Sequence, residues 1–229
     1  GDPALDRRYA QEFEALFDCA TLPFYWKDHE PRPGDSRHGK VMELARWCRE
    51  RGIRTKGHPL VWNHAAGTPA WLPGDPHKVL ALSSARVGAC VEAFAGWIDM
   101  WDVVNEAAEP FRIADNPMTA MLKALGRERC LADSFRAARA AGPGAVLLIN
   151  DYKTDESLRE VLGMLDRVPG LRFDAIGIQS HMRDRAWTAA EIRGACERLA
   201  AWPAARGVPL HLTEISFPSS PGLGGAGPG

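Results

Sequence analysis

The chain has 229 residues, of which 45% are hydrophobic and 25% are charged, a composition that is typical of globular proteins. Lys and Arg number 28 against 29 Asp and Glu, so the net charge is -1. The chain therefore lacks the positive excess that drives binding to nucleic acid or to an anionic membrane surface. No apolar run reaches the ~18 residues of a membrane-spanning helix. Because α/β barrels of 200 to 250 residues are commonly single domains, we expect one domain.

Short apolar runs alternate with longer segments of helical periodicity. In chain order the pattern predicts a strand at 17–25, a helix at 36–51, a strand with a functional loop at 53–62, a helix at 83–98, a strand at 100–105, a helix at 127–141, a strand at 145–150, a helix at 155–168, a strand at 173–180, a helix at 188–206 and a strand at 209–215. This alternation predicts parallel strands joined by helical crossovers. The strand runs are almost continuously apolar, which indicates that both faces of the sheet are covered.

The five cysteines are odd in number, scattered and never in a C-x-x-C pair. This pattern argues against a disulfide framework and against a structural zinc site. We expect buried, unpaired thiols that pack as small apolar side chains.

Polar residues gather where five consecutive predicted strands end. They are His58, Trp62, Asn63 and His64; Asn105 and Glu106; Asn150, Asp151 and Tyr152; Gln179 and His181; and Glu214. The carboxyl ends of parallel strands meet at one face of a barrel, where active sites lie. A purely structural sheet gives no reason for carboxylates, imidazoles and amides to collect there, so the pattern predicts a functional site.

Glu106 and Glu214 both follow apolar segments, where an unpaired carboxylate is costly to desolvate. Taken singly, each is compatible with a satisfied structural glutamate. Taken together, they can face each other across a barrel mouth, as glycoside hydrolysis requires. One carboxyl then protonates the leaving oxygen, and the other attacks the sugar carbon or activates a water.

Metal-dependent hydrolysis is a second hypothesis, because His58, His64, His181 and Asp151 are potential ligands. The sequence contains no H-x-H or H-E-x-x-H motif among them, so we predict no metal site. The remaining histidines that lie in predicted loops or at helix starts are expected to be solvated; they are His29, His38 and His77. Four tryptophans near strand ends are candidates for stacking on sugar rings: Trp26, Trp62, Trp71 and Trp101.

Five segments stand in one order on successive predicted strands: KGHPLVW, WDVVNEA, LLINDY, IGIQSH and LTEIS. Over residues 9–217 this order resembles family 10 glycoside hydrolases, the endo-β-1,4-xylanases of the α/β class with a (β/α)8, or TIM, barrel. The resemblance implies hydrolysis of internal xylosidic bonds of xylan without a cofactor or a metal. It also implies a secreted enzyme with a polysaccharide as its partner.

The resemblance assigns roles by motif. Glu106 in WDVVNEA resembles the general acid/base, and Glu214 in LTEIS resembles the nucleophile of a retaining double displacement. Asn105 resembles the amide that binds the sugar 2-hydroxyl, His181 the imidazole that orients the nucleophile, and Gln179 the amide beside the acid/base. The remaining candidates for substrate binding are His58, Trp62, Asn63, His64, Asp151, Tyr152 and Lys27.

The chain departs from the family pattern at several places. The family has a second histidine directly after the position of Trp62, where this chain has Asn63 and then His64. The family's glycone-binding segment is replaced by TLPFYWKDHEP, in which Lys27 stands for the family's lysine. These departures put strict xylan preference in question.

By the order of the motifs, the six strands correspond to the second to seventh strands of the barrel. We therefore expect an incomplete barrel with six of eight strands, a fragment or truncated product of a full-length enzyme. Residues 1–217 are predicted to form the catalytic domain, and residues 218–229, rich in Gly and Pro, a flexible tail or a linker to an appended module. Two alternatives stay open: a two-glutamate glycosidase that acts on another β-linked glucan, and an inactive carbohydrate-binding fragment.

Overall fold

The structure is a computed structural model that describes residues 3–112, 115–182, 187–202 and 207–216. Its strands are β1 (Cys19–Pro23), β2 (Arg54–His58), β3 (Met100–Asn105), β4 (Val146–Asp151), β5 (Ala175–His181) and β6 (Leu210–Ser216). Its helices are α1 (Pro3–Leu16), α2 (Trp26–His29), α3 (His38–Glu50), α4 (Pro76–Ala93), α5 (Pro117–Leu125), α6 (Arg127–Ala141), α7 (Glu156–Arg167) and α8 (Ala189–Ala200), with a 3-10 turn at Pro110–Arg112. Among the described residues, no helix combines the length and the apolar character that crossing a bilayer requires.

The six strands form one parallel sheet in the order of the sequence, from β1 to β6. All carboxyl ends therefore lie at one edge, as the predicted strand–helix alternation requires. The incomplete α/β barrel with six strands is confirmed. Within the described ranges, β1 and β6 each pair with one neighbour and form the two open edges of the sheet.

Apolar side chains mark the β6 edge of the incomplete barrel. Leu212 and Ile215 on β6 are each 56% exposed, whereas Ile176 and Ile178 on the neighbouring strand β5 are buried. Exposure of both β6 side chains is unusual for large aliphatic residues, which lie mostly in protein cores. The sheet is therefore covered in its middle and incompletely covered at this edge.

The core lies between the sheet and the helices on its outer face. Trp101 of β3 is fully buried against the rings of Phe24 and Phe94, with centroids 4.9 and 6.3 Å away. Offset and edge-on aromatic contacts of this kind add to the burial of the rings. This cluster fixes the loop after β1 and the end of α4 against the amino-terminal half of the sheet.

The sequence prediction was wrong at the start of the helix placed at 83–98. The helix α4 begins at Pro76, because the Asp75 carboxylate accepts hydrogen bonds from the backbone N–H groups of His77 and Lys78 at 2.9 and 3.5 Å. An Asp N-cap followed by Pro in the first turn is a strong helix start. Ser83, at the predicted start, is buried inside the helix.

Three further helices, α1, α2 and α5, lie where no helix was predicted, and α8 ends at Ala200 rather than at 206. The predicted end of that helix and the predicted tail lie largely outside the described residues. Three cysteines are buried as expected, at Cys48, Cys90 and Cys130, but Cys19 is exposed and Cys196 is half-buried. The prediction that His29 is solvated was wrong, since only 5% of it is exposed.

Candidate active site

The carboxyl ends of the strands surround a cleft of about 390 Å³. The residues that line it are Tyr25, His58, Trp62, His64, Asn105, Glu106, Arg112, Tyr152, Gln179, His181, Trp187 and Glu214. Both predicted carboxylates therefore face one space, together with most of the polar residues that the sequence placed at the strand ends.

Glu106 follows β3 directly and has a φ of 56°, which makes it the one non-glycine residue with positive φ in the described ranges. Its backbone N–H donates to Asn150 O at 2.8 Å, which holds this turn against β4. A non-glycine residue in this conformation is strained, and such strain concentrates at functional sites. The side chain accepts hydrogen bonds from Trp62 Nε1 and Gln179 Nε2, both at 3.2 Å, and lies 3.8 Å from Arg112 Nη2.

Glu214 lies within β6 and lines the same cleft. Its Oε1 accepts a hydrogen bond from Asn150 Nδ2 at 2.8 Å, and its Oε2 lies 3.0 Å from His181 Nε2. His58 Nε2 is 3.7 Å from Oε1. The Glu214 carboxylate is therefore positioned by an amide and two imidazoles that come from three different strand ends.

A β-bulge precedes each of the two glutamates. In β3 the pairing with β4 passes from Asp102 to Val104, and in β6 the pairing with β5 passes from Leu212 to Glu214. The extra residue in each case is one that the partner strand leaves unpaired. Bulges change the direction in which side chains point, and they are frequent beside active sites. Here they direct both carboxylates into the cleft.

A chain of side-chain amides joins the two carboxylates. Asn150 Nδ2 donates to Asn105 Oδ1 at 2.8 Å as well as to Glu214, and Gln179 Nε2 donates to Asn105 Oδ1 and to Glu106 Oε1, each at 3.2 Å. Thr213 Oγ1 donates to Asn150 Oδ1 and thereby fixes the orientation of that amide. A connected network of this kind holds its members in one geometry.

A buried ionic group lies beneath the cleft. The Asp102 carboxylate is fully buried and accepts from Lys56 Nζ at 2.5 Å and from His58 Nδ1 at 2.7 Å. A carboxylate can only accept, so His58 carries a hydrogen on Nδ1, and its Nε2 is the atom that faces Glu214. Sequence reasoning missed Lys56 and Asp102, although two charged residues inside buried strand runs were a visible signal.

Aromatic rings form one wall of the cleft. The Trp62 indole stacks on the His64 ring at a centroid distance of 4.3 Å, and Tyr25 contacts Trp62 and His58 at 5.9 and 5.6 Å. Burial and the nearby Glu214 and Glu106 carboxylates raise the pKa of Tyr25, which therefore keeps its phenolic hydrogen as a donor. Flat rings beside polar groups suit the faces of sugar rings.

Tyr152 lines the cleft, and its hydroxyl donates to Glu109 Oε2 at 2.7 Å. Burial and this hydrogen bond raise the pKa of Tyr152 to about 12. The guanidinium of Arg112 lies 5.4 Å above the Tyr152 ring. Both residues line the cleft, and Arg112 Nη2 also lies 3.8 Å from Glu106.

Three predicted substrate-binding residues lie outside the cleft. Asn63 is buried, and its Nδ2 donates to Pro110 O and to Thr119 Oγ1 at 2.6 and 2.9 Å, because its side chain turns away from the cleft into the packing of the following loop. Asp151 is fully buried and accepts from the backbone N–H groups of Ala108 and Lys153, both at 2.9 Å. The side chain of Lys27 is exposed to solvent and does not line the cleft.

Of the tryptophans proposed to stack on sugars, Trp62 lines the cleft, whereas Trp26 and Trp101 are buried in the core and Trp71 packs against that core. Three lining residues were missed: Tyr25, Arg112 and Trp187. Tyr25 follows the carboxyl end of β1, so the reasoning that placed the other site residues at strand ends could have predicted it. Arg112 and Trp187 belong to long loops, for which the sequence pattern gives no position.

A parallel β/α barrel with two network-held carboxylates and an aromatic wall in one cleft defines the class of barrel glycoside hydrolases. The model of glycosyl hydrolase family 10 matches residues 10–220, and the chain belongs to this family.

Relatives with curated names agree with this membership. Endo-1,4-beta-xylanase B from Paenibacillus barcinonensis is 33% identical over 205 residues, which are 84% of this chain and 59% of that protein. Endo-1,4-beta-xylanase 3 from Hypocrea jecorina is 29% identical over 204 residues, or 86% of this chain and 56% of that protein. The chain therefore spans less than two thirds of the length of these relatives.

A solved structure agrees in fold as well. The crystal structure of xylanase XynB from Paenibacillus barcinonensis, complexed with a conduramine derivative, superposes with a TM-score of 0.76 at 28% identity. The match covers 93% of this chain and 66% of the XynB chain. The incomplete sheet therefore corresponds to part of a longer barrel in that protein.

Proposed function

We propose that the chain is the core of a retaining endo-β-1,4-xylanase and that it cleaves internal xylosidic bonds of xylan. The family membership and the names of its relatives support the reaction class and the substrate. The observation that carries the proposal is the amide chain from Gln179 through Asn105 and Asn150, because it ties Glu106 and Glu214 to one cleft. We also propose that the enzyme acts outside the cell, since xylan is a polymer.

The proposed reaction begins when Glu106 donates its proton to the glycosidic oxygen and the aglycone leaves. At the same time a carboxylate oxygen of Glu214 attacks the anomeric carbon, so that a covalent glycosyl ester replaces the glycosidic bond. Glu106, now ionised, then takes a proton from water, and the resulting hydroxide equivalent attacks the same carbon. The sugar leaves with its original configuration, and both carboxyl groups return to their starting states.

The surrounding side chains support these steps. Asn150 and His181 donate to the two oxygens of Glu214 and fix which lone pair faces the sugar carbon. Gln179 and Trp62 hold the Glu106 carboxyl beside the position of the leaving oxygen. Positioning of this kind lowers the barrier because the reacting atoms meet without further reorganisation.

The test is release of reducing sugar from soluble xylan by the wild-type chain and by three variants. Glu214→Gln is expected to lose about 10³-fold or more of the activity, as removal of a nucleophile does. Glu106→Ala is expected to lose about 10²- to 10⁴-fold, with partial rescue by azide on substrates with good leaving groups. Glu43→Gln, an exposed carboxylate on α3, is the matched control and is expected to retain full activity.

The stereochemistry of the product tests the double displacement separately. Proton NMR of the first product formed from a xylo-oligosaccharide is expected to show the β-anomer. An initial α-anomer would refute the retaining mechanism while leaving hydrolysis itself intact.

The second candidate function is hydrolysis of another β-linked glucan, which is favoured by the altered segment TLPFYWKDHEP beside the cleft. Parallel assays on xylan and barley β-glucan separate the two. Release from glucan alone would favour this second candidate. Binding of either polymer without release would favour a carbohydrate-binding fragment.

A further inference from the structure

We propose that His29, His38 and Cys90 bind one thiophilic metal ion with a filled d shell, Zn²⁺ or Cu⁺, in the interior of the fold. The proposal is independent of the catalytic function, since the three residues do not line the cleft. His29 ends α2, His38 begins α3, and Cys90 lies near the end of α4. Their candidate ligand atoms all lie within 4.8 Å of one another.

The fold brings these three residues together although they are far apart in the sequence. The backbone N–H of Arg37 donates to His29 O at 2.7 Å, which folds the start of α3 back onto the end of α2. The rings of His29 and His38 then lie 5.0 Å apart, and Cys90 Sγ is 3.9 Å from His38 Nε2. No short-range spacing motif joins them, which explains why sequence reasoning predicted no metal here.

The burial of His29 and its lack of hydrogen bonds support a bound ion. The residue is 5% exposed, and neither ring nitrogen has a hydrogen-bond partner among the described residues. A buried polar group without a partner is costly, and most such groups in native proteins are satisfied. A metal ion on one of its ring nitrogens would satisfy a lone pair that receives no hydrogen bond from the neighbouring Phe24 and His38 rings.

The distances suit the ligand set. With a Zn–S bond of about 2.3 Å and a Zn–N bond of about 2.05 Å, tetrahedral geometry separates sulfur from nitrogen by about 3.6 Å. The observed 3.9 Å between Cys90 Sγ and His38 Nε2 requires a small closure, and the limit of 4.8 Å on the other separations means that the ligand atoms converge by up to about 1.2 Å when the ion binds. A water molecule would complete the tetrahedron of Zn²⁺, whereas Cu⁺ is satisfied by three ligands.

The chemistry of the donors selects the ion. One thiolate with two imidazoles suits Zn²⁺ and Cu⁺, whereas Mg²⁺ and Ca²⁺ prefer oxygen ligands, which this cluster lacks. Burial raises the pKa of the Cys90 thiol, and the nearby buried guanidinium of Arg86 opposes this effect only in part, so the thiolate would form when the ion binds and displaces the thiol proton. The two terminal nitrogens of Arg86, Nη1 and Nη2, donate to Leu60 O and Phe24 O, each at 2.6 Å, so they are engaged by backbone carbonyls.

A bound ion would connect the segment that follows β1 to α4. This segment carries Tyr25, which lines the cleft, and Trp26, which packs in the core. Since a metal that binds only the folded state stabilises it, the ion is expected to raise Tm by about 5 °C or more at saturating concentration.

The experiment uses the full chain without a histidine tag, stripped with a chelator and dialysed against Zn²⁺, or against Cu⁺ under reducing conditions. Elemental analysis is expected to find about one bound ion per chain, with the rise in Tm. Co²⁺ serves as the spectroscopic probe, because a cobalt–thiolate bond gives a charge-transfer absorption in the near ultraviolet. Wild-type protein is expected to show this band.

The variants His29→Gln and Cys90→Ser are expected to lose the bound ion, and Cys90→Ser to lose the cobalt band. Cys130→Ala, which removes another buried thiol, and His77→Ala, which removes a histidine from the first turn of α4, are the matched controls and are expected to retain both signals. Failure of the wild type to bind either ion, retention of the ion by both test variants, or loss of the cobalt band in Cys130→Ala would overturn the proposal.

Should the test variants fail to fold, X-ray absorption of the Zn²⁺-loaded wild type decides the question. One sulfur and two nitrogen neighbours at bonding distance are expected. A shell of oxygen and nitrogen only would overturn the proposal.

Discussion

The side-chain amide of Asn150 donates a hydrogen bond to Glu214 Oε1 across 2.8 Å. The same nitrogen also donates to Asn105 Oδ1. The amide oxygen of Asn150 accepts a hydrogen bond from Thr213 Oγ1, so both polar atoms of the Asn150 side chain are engaged. Hydrogen bonds to a charged group are worth about 1.5–3 kcal/mol each. Asn150, at the carboxyl end of β4, therefore holds the Glu214 carboxylate of β6 in a fixed orientation.

Asn150→Ala is expected to lower kcat by about 10- to 100-fold, the equivalent of one lost hydrogen bond to a charged group. The loss is expected mainly in kcat rather than in KM, because Asn150 contacts the proposed nucleophile and does not line the cleft. Steady-state kinetics on a xylo-oligosaccharide measure both constants. Asn63→Ala is the control, since it removes a buried amide that is bonded to Pro110 and Thr119 instead. Equal losses in the two variants would contradict the positioning role.

Lys56→Met is expected to destabilise the fold by about 3–5 kcal/mol, because it leaves the Asp102 carboxylate buried with His58 as its remaining side-chain partner. The midpoint of urea denaturation measures the loss. Adding Asp102→Asn to the same chain is expected to recover part of it, since the uncompensated charge is then absent. A single variant that unfolds at the wild-type midpoint would show that Asp102 does not depend on Lys56.

The sequence predicts the central strands β3, β4 and β5 well because they are buried on both faces and are therefore mostly apolar. The starts of helices are harder to predict, because several nearby residues can act as the N-cap. In α4 the cap is Asp75, followed by a proline, while Ser83 lies inside the helix. The amphipathic helix α1 was missed because no strand preceded it to suggest a β/α unit.

The sequence predicts which residues lie at the strand ends, but it does not predict which of their side chains face the cleft. Trp62 and Asn63 are adjacent in sequence, yet one lines the cleft and the other points into the loop packing. Asp151 likewise stands at a strand end but satisfies backbone N–H groups. Long-range contacts decide such cases, as they do for His29, whose burial depends on α3 and α4 packing around it.

Gly177→Ala is expected to lower both stability and kcat. An added Cβ would lie 2.4 Å from Asn150 Oδ1 and 2.8 Å from Thr213 Cγ2, so the amide that holds Glu214 must shift. Overpacking of this kind costs about 1–3 kcal/mol. Gly163→Ala in α7 is the control: its Cβ would meet nothing closer than 3.5 Å, and removal of a helical glycine is expected to stabilise the fold by about 0.5–1 kcal/mol. Chemical denaturation and kcat are measured for both, and unchanged kcat in Gly177→Ala would argue against the shift.

Asp151 is expected to make the fold less stable as the pH rises from 4 to 6. Burial raises its pKa from the ordinary 3.8 to about 6, against the opposing effect of the backbone N–H groups of Lys153 and Ala108. In this range the folded chain retains a proton on Asp151 that the unfolded chain has released, so the free energy of unfolding falls with pH and levels off above about 6. The difference between the two pKa values corresponds to about 3 kcal/mol.

Asp151→Asn removes this titration, and the comparison with wild type isolates it from every other group. The free energy of unfolding of wild type minus that of Asp151→Asn is expected to fall by about 2.4 kcal/mol between pH 4 and pH 7, because the unfolded carboxyl is already partly ionised at pH 4, as measured by urea denaturation at each pH. Asp166→Asn, an exposed position on α7, is the control, and its difference from wild type is expected to stay within about 0.5 kcal/mol. A difference for Asp151→Asn that is constant, or that rises with pH, would mean that the backbone hydrogen bonds outweigh burial at this carboxyl.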